Sequence, residues 1–459
     1  MAKNFSVGYS NVNVNPPLGA GMIGYYVPRK AKGFLDDLEI RTMVISCDDK
    51  RVAIISLPIC LIHDKLLKEV FELITKNTCI KQDEIFLTAT HTHTGPFLII
   101  EEAGDFGEPI DEEKHEQYRK FFCGRVVDGI KLAINDLKPA KMGYCVGYAP
   151  ERVAYIRRYM MKDGTTYTCP PIDDPNIDYP LGTLDQRVNV VRFDREGADT
   201  IVLYNYGLHA DTIGGELISS DWPHWTNKTL EKALDGVKGI FIAGAQGDVG
   251  STNVHPKDGD MNDTEISFDN EMKSPGMARF VGRAIAGTIL QVYDKVKYVD
   301  VDDLSIIKRE IKIPSNKPKP EELPLAKKYV ELHEAGLDSE IPYKAMQLTT
   351  VVAEALRMIR LEKGPDHFDL TLTGLKLGPI AFVGIAGEPF TEVGVEIKKA
   401  EGWGLILPCA LTNGSMGYFP MKSAYEEGGY EARCSSFKAG VGEIIIEESK
   451  KLLSDLKNS

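Results

Sequence analysis

Between residues 42 and 96 the hydrophobic period of the chain changes twice, and this restricts the folds open to it. Residues 42–46 and 52–57 are short apolar runs rich in β-branched side chains, 62–77 repeats its apolar residues at helical spacing, and 84–88 returns to an extended pattern. Strand, helix and strand in succession predict a crossover unit, and such units build sheets whose strand ends carry ligands. The last strand runs straight into TATHTHTGP, residues 88–96, which sets His91 and His93 one residue apart before Gly95-Pro96.

The same patterns continue. A long helix is predicted at about 111–137, where Tyr118, Phe121, Phe122, Val126, Ile130 and Leu132 recur at three- and four-residue steps. Residues 188–193 and 200–206 form a hairpin-like pair, the second strand ending in Gly207-Leu208-His209. The continuous apolar run 239–244 fits a strand covered on both faces and opens into Gln246-Gly247-Asp248. Helices are expected at about 270–296, 319–336 and 341–363, the last two charged and peripheral. A strand pair at 370–377 and 380–385 leads to Gly387-Glu388-Pro389, followed by a helix at 391–401, a strand at 405–407 and a closing helix from about 436. The expected class is α/β, a mixed β-sheet core flanked by helices with an active site at strand C-terminal ends. One unit over residues 1–459 is expected, its weakest seam at the Pro/Lys-rich stretch 314–320.

Composition narrows the function. The net charge is -13 and no basic run is long enough to track a phosphate backbone, which argues against nucleic acid. No window reaches the roughly 20 apolar residues of a spanning helix, and the N-terminus lacks the pattern of a secretion signal. The eight cysteines contain no C-x-x-C pair and read as reduced, which favours the cytoplasm. The sequence leaves open whether the chain forms a homo-oligomer.

Polar groups emerge directly after apolar runs at His91, His93, His209, Asp248 and Glu388. Histidines with a glutamate and an open position make the ligand set of a catalytic zinc. Each residue also has an ordinary explanation. A lone strand-end histidine is more often a hydrogen-bonded structural residue, Glu388 before Pro389 suits a helix start, and Asp248 suits a turn. Spacing alone leaves both readings open.

The motifs in order resemble the neutral ceramidase family, in its N-terminal catalytic domain. TATHTHTGP is similar to the family's T-H-T-H-S-G-P, Leu208-His209-Ala210 and Ser219-Ser220-Asp221 to its V-H-x-T-S and S-S-D, and Gly387-Glu388-Pro389-Phe390-Thr391 to its G-E-F-T. The stretch SMGYFPMKSAYEEGGYEA, 415–432, parallels the family's tyrosine-rich block without a gap. The resemblance implies a zinc ion held by His91, His209, Glu388 and Tyr418, with His93 beside the metal, Tyr430 near the substrate carbonyl and Arg152 as a substrate contact. It departs at the family's active-site serine, where Gly250 stands with Ser251 next, and in a shorter spacing from Glu388 to Tyr418. No immunoglobulin-like C-terminal domain is expected. The implied activity is zinc-dependent hydrolysis of a linear, N-acyl-type amide, with Ser251 as the substitute serine and with Asp248 and Phe97 lining the substrate site. The alternatives are a non-catalytic homologue that binds a small ligand, for which Gly250 speaks, and an esterase of a small soluble substrate. A metal phosphoesterase would want paired metals and more carboxylates.

Overall fold

Two crossover units, one at each edge, frame the principal sheet of the computed structural model, which describes residues 5–101 and 111–459. At one edge the amphipathic helix Asp64–Asn77 links the parallel strands Lys50–Leu57 and Ile85–Ala89. At the other, helix Asp221–Ala233 links the parallel strands Thr200–Tyr206 and Val237–Ala243. Between them Arg187–Arg195, Lys138–Tyr148, Phe5–Asn13 and Glu39–Cys47 run antiparallel to their neighbours. The expected crossover over 50–89 and the expected hairpin at 188–206 are both present.

The central strands are apolar on both faces because both faces are covered. In Glu39–Cys47, Ile40 and Val44 point to one core while Met43, Ile45 and Cys47 point to the other; in Thr200–Tyr206, Val202 and Tyr204 oppose Ile201 and Leu203 in the same way. The first core is closed by helices, through Leu66, Val70 and Ile74, through Phe122, Val126 and Ile130, and through Val281, Ile285 and Ile289. The second is closed by a separate four-stranded sheet, Leu304–Pro314, His367–Leu377, Ile380–Ile385 and Leu405–Cys409, which contributes Leu375, Phe382 and Leu407. Helix Val441–Lys457 covers the outer face of that sheet with Ile445, Leu452 and Leu456. The layers therefore run helix, sheet, sheet, helix. Helices Leu323–Glu334 and Ala345–Glu362 pack on each other through Ala326, Val330 and Ala355 and stand aside from these layers. The stretch 314–320 starts from a tied point, since the Ser315 and Asn316 N–H groups donate to the Asp366 and Ser436 carbonyls.

The principal sheet curls until its edges meet, and the Ser56 hydroxyl donates to the Phe241 carbonyl across the join at 2.7 Å. Residues 410–413, continuing from Leu405–Cys409, sit in this join. The Ala410 N–H donates to Ala243 on one edge, the Ala89 N–H donates to Leu411 from the other, and the Asn413 N–H donates to Leu87. The buried Asn413 side chain accepts from the Leu87 N–H at 3.0 Å and donates to the Ile85 carbonyl at 3.0 Å and to Thr373 Oγ1 at 3.1 Å. Leu411 and Asn413 hold φ near +50° (49° and 54°) to make these bonds, a conformation Asn tolerates better than most residues. Asn413→Ala orphans buried groups on two sheets and keeps the left-handed backbone, so unfolding in urea should show a loss of about 2–4 kcal/mol. A midpoint equal to that of the parent protein would show that the join holds without this side chain.

Candidate metal centre

The curl of the sheet brings the ends of both crossover units together. Past Ile85–Ala89, the Thr90 and His91 N–H groups donate to Leu57 and Ile59, and His91 takes φ +67°, uncommon for a side chain of its size. His209 lies three residues past Thr200–Tyr206. Glu388 lies past Ile380–Ile385, where the Leu411 N–H donates to the Gly387 carbonyl at 2.9 Å, so the residues that join the sheet edges also hold the loop carrying the carboxylate. A Cβ on Gly387 would come within 2.6 Å of the Gly417 carbonyl, and this close approach lets Glu388 pair directly with Tyr418 in a short parallel bridge. The short spacing between these two residues is no obstacle, because they are neighbours on adjacent strands.

Hydrogen bonds set the orientation of each imidazole. His91 Nδ1 lies 2.6 Å from the Cys60 carbonyl, and His209 Nδ1 lies 2.9 Å and 3.0 Å from the Gln246 and Val249 carbonyls. A carbonyl only accepts, so each Nδ1 carries the proton and each Nε2 is left to face the interior. Both Nε2 atoms converge on Glu388 Oε2, at 3.1 Å from His91 and 3.2 Å from His209. Among the described residues, His209 Nε2 and Glu388 Oε2 are buried without a well-aligned hydrogen-bond partner, as suits atoms disposed to bind a cation. His91, His209 and Glu388 form one possible ligand group, and Cys60, His91 and His93 form another.

The charges follow from burial and proximity. Burial opposes ionisation of Glu388, but His91 and His209 outweigh it and hold the carboxyl well below its usual range. Burial alone would lower His91, yet the Glu388 carboxylate pulls it well above the ordinary histidine value. Burial and then Arg157 bring His209 down to about 4. Burial, reinforced by the neighbouring His91 and His209, keeps His93 neutral, with its Nε2 3.3 Å from His91 Nε2.

Two tyrosines close one side. The Tyr418 ring stacks on His209 at 6.5 Å between centroids and meets Tyr430 edge-on at 5.6 Å, while the Tyr430 hydroxyl lies 3.3 Å from that of Tyr26. The arginine at this wall is Arg157. Its guanidinium donates to the Tyr418 hydroxyl at 3.1 Å, to the Gly247 carbonyl at 3.0 Å and to Glu431 at 2.7 Å, with Arg157 and Glu431 buried and Tyr418 half-buried. Arg152 is engaged elsewhere: its half-exposed guanidinium pairs with Asp258 and Asp260 and takes no part in the cluster. A pair of arginines inside the otherwise apolar 153–161 sets Arg157 apart in the sequence, but nothing local ties it to Glu431.

The remaining expected residues divide. Asp248 is buried and near the cluster, yet its carboxylate is occupied by the Thr391 N–H and hydroxyl at 2.7 and 2.9 Å, which fixes the chain just after Glu388. Ser251 is buried, and among the described residues neither it nor Gly250 hydrogen-bonds to the three ligand candidates. Phe97 packs against His115 and over Gly21.

No family model matches the sequence. Among solved structures, the neutral ceramidase from Pseudomonas aeruginosa superposes with a TM-score of 0.69 at 16% identity, over 100% of this chain and 75% of that one. A ceramidase complexed with C2 gives a TM-score of 0.72 at 14% identity, over 99% and 76%. The chain has the neutral ceramidase fold. Within that ceramidase fold, the buried pair of Arg157 and Glu431 carries the wall beside Tyr418. Glu431→Ala leaves a buried guanidinium unpaired and should cost about 3–5 kcal/mol in chemical denaturation. Arg152→Ala, at an exposed pair, should leave the midpoint unchanged.

Proposed function

We propose that this protein is a metal-dependent hydrolase of linear amides, with zinc held by His91, His209, Glu388 and Tyr418. The observation that carries this reading is the convergence of two imidazole Nε2 atoms on one carboxylate oxygen, with both Nδ1 atoms committed to carbonyls. Nitrogen and oxygen donors of this kind suit zinc. The ceramidase fold supports the choice of an amide carbon–nitrogen bond.

When bound, zinc would acidify a water and polarise the substrate carbonyl. Neutral His93 accepts the proton of the attacking water on Nε2 and returns it to the departing amine nitrogen. Tyr430 donates to the oxygen of the substrate carbonyl as charge develops there. Arg157 acts from behind, holding the Tyr418 oxygen in place by its 3.1 Å bond. Ser251 and Asp248 are given no step: Asp248 serves the loop of Glu388 through Thr391.

A cleft of about 740 Å³ has a mixed lining, with Leu35, Leu217, Ile266 and Phe268 beside Glu216, Asp263, Glu265 and Lys273, and none of the proposed ligands lines it. Phe268 packs edge-on against Tyr25 at 5.8 Å and Tyr25 against His93 at 5.5 Å, so two aromatic contacts connect the wall of the cleft with the proposed base. The likeness to ceramidase structures, and not this mixed lining, supports an N-acyl, lipid-like amide as substrate. No helix among the described residues is long and apolar enough to cross a membrane. The eight free cysteines support a reducing, cytoplasmic setting.

A panel of N-acyl amides and p-nitrophenyl esters, assayed with and without chelator alongside metal analysis, tests the reading. Amide turnover should be chelator-sensitive, and His91→Ala should abolish it together with bound metal. Equal activity in His91→Ala would remove the metal assignment. Bound metal without turnover of any amide or ester would favour the ligand-binding homologue, the reading that Gly250 supports. Arg152→Ala should keep full activity, whereas Arg157→Ala should lose on the order of 100-fold in kcat.

A further inference from the structure

Two alternating pairs, His91-x-His93 and His209-x-Asp211, face each other across the site. The first member of each pair turns toward Glu388, and the second members meet, with His93 Nδ1 3.4 Å from Asp211 Oδ2. The backbone sets the crossing, since the His93 N–H donates to the Ala210 carbonyl at 3.1 Å. Asp211 is itself buried and held on both oxygens. The Tyr25 hydroxyl donates to Oδ1, and the Lys273 ammonium lies 2.6 Å from Oδ2. Lys273 is in turn fixed by Glu271 at 2.7 Å and by the Tyr25 hydroxyl at 2.7 Å.

The geometry points to Asp211 as the positioning residue for His93, clamped by Lys273 and Tyr25 so that the imidazole presents its Nδ1–H to the carboxylate and its Nε2 lone pair to the metal cluster. The physical reason is electrostatic. A neutral imidazole has one N–H and one lone pair, and the two tautomers differ little in water. A buried carboxylate oxygen beside Nδ1 repels a lone pair there and attracts the N–H. The contact at 3.4 Å is long and imperfectly aligned, so it selects the tautomer rather than forming a strong bond. Lys273 balances the charge of Asp211, so the carboxylate orders the ring without drawing a full proton from it. The ring has little room to turn over: Tyr25 lies edge-on at 5.5 Å, and Gly24, at φ +120°, passes so close that a Cβ there would sit 2.8 Å from the His93 Cβ. Asp211 acts through His93.

The consequence for turnover rests on the metal-hydrolase reading, while the tautomer can be measured without it. The test uses the full-length, zinc-loaded protein and Asp211→Asn, with long-range ¹⁵N NMR of labelled histidines, elemental analysis, and kcat and KM on an amide substrate. In the parent protein His93 should be the Nδ1–H tautomer. Asp211→Asn should dilute that tautomer and lower kcat on the order of 100-fold, with KM and bound zinc unchanged. An Nε2–H tautomer in the parent protein overturns the inference, as does parental kcat in the variant or a fall in kcat that follows loss of zinc. If Asp211→Asn fails to fold, the parental tautomer decides alone. A parent protein with no amidase activity and an Nδ1–H His93 would refute the proposed function while leaving the positioning role intact.

Discussion

The structure depends on the closure of the curled principal sheet by residues 410–413. A sheet with parallel crossovers at both edges would otherwise leave those edges open, and their unpaired N–H and C=O groups would be buried without partners. The backbone of Ala410, Leu411 and Asn413 supplies the partners on both sides, and the Asn413 amide adds a bond to the second sheet through Thr373. The same four residues hold the Gly387 carbonyl and, through Thr412, the Ile385 carbonyl. Closure of the sheet and placement of Glu388 are thus one event, and the positive φ angles at Leu411 and Asn413 are its local cost.

What closure assembles is a set of donors whose directions are decided by backbone carbonyls. The carbonyls of Cys60, Gln246 and Val249 determine which nitrogen of His91 and His209 faces inward. These carbonyls lie in loops that are themselves fastened, as where the Gly247 N–H donates to Pro389. The electrostatics then follow from burial. Three polar groups turned toward one point and shielded from water must either share a proton or share a cation, and the chain surrounds them with further aromatic and charged side chains rather than with solvent.

Much of this was legible in the sequence. The change of period between residues 42 and 96 marked one crossover unit, and the apolar runs ending at His91, His209 and Glu388 marked the three strand ends that converge. The layering was not legible. The expected strands at 370–377, 380–385 and 405–407 could not be told apart from an extension of the first sheet, and Leu304–Pro314, whose apolar residues are interrupted by Lys308, Arg309, Glu310 and Lys312, was not expected as a strand at all. Arg157 and Asp211 escaped for a different reason. Each acquires its role from a partner distant in sequence, Glu431 for the arginine and Lys273 for the aspartate, and no local pattern encodes such a pairing. Arg152 sat in a plausible place along the chain and found nearer acidic partners on the surface.

The order in which the ribosome delivers these parts gives the fold a timetable. His91 and His209 emerge while the sheet still lacks the residues that close it, and Glu388, the closing residues 410–413 and Tyr418 follow well over a hundred residues after His209. Nascent protein can form its first crossover unit early, because Lys50–Leu57 and Ile85–Ala89 are near in sequence, but contacts across hundreds of residues must wait. The full donor set of this cluster therefore exists only once Glu388 has been made, whatever the early crossover unit has already formed.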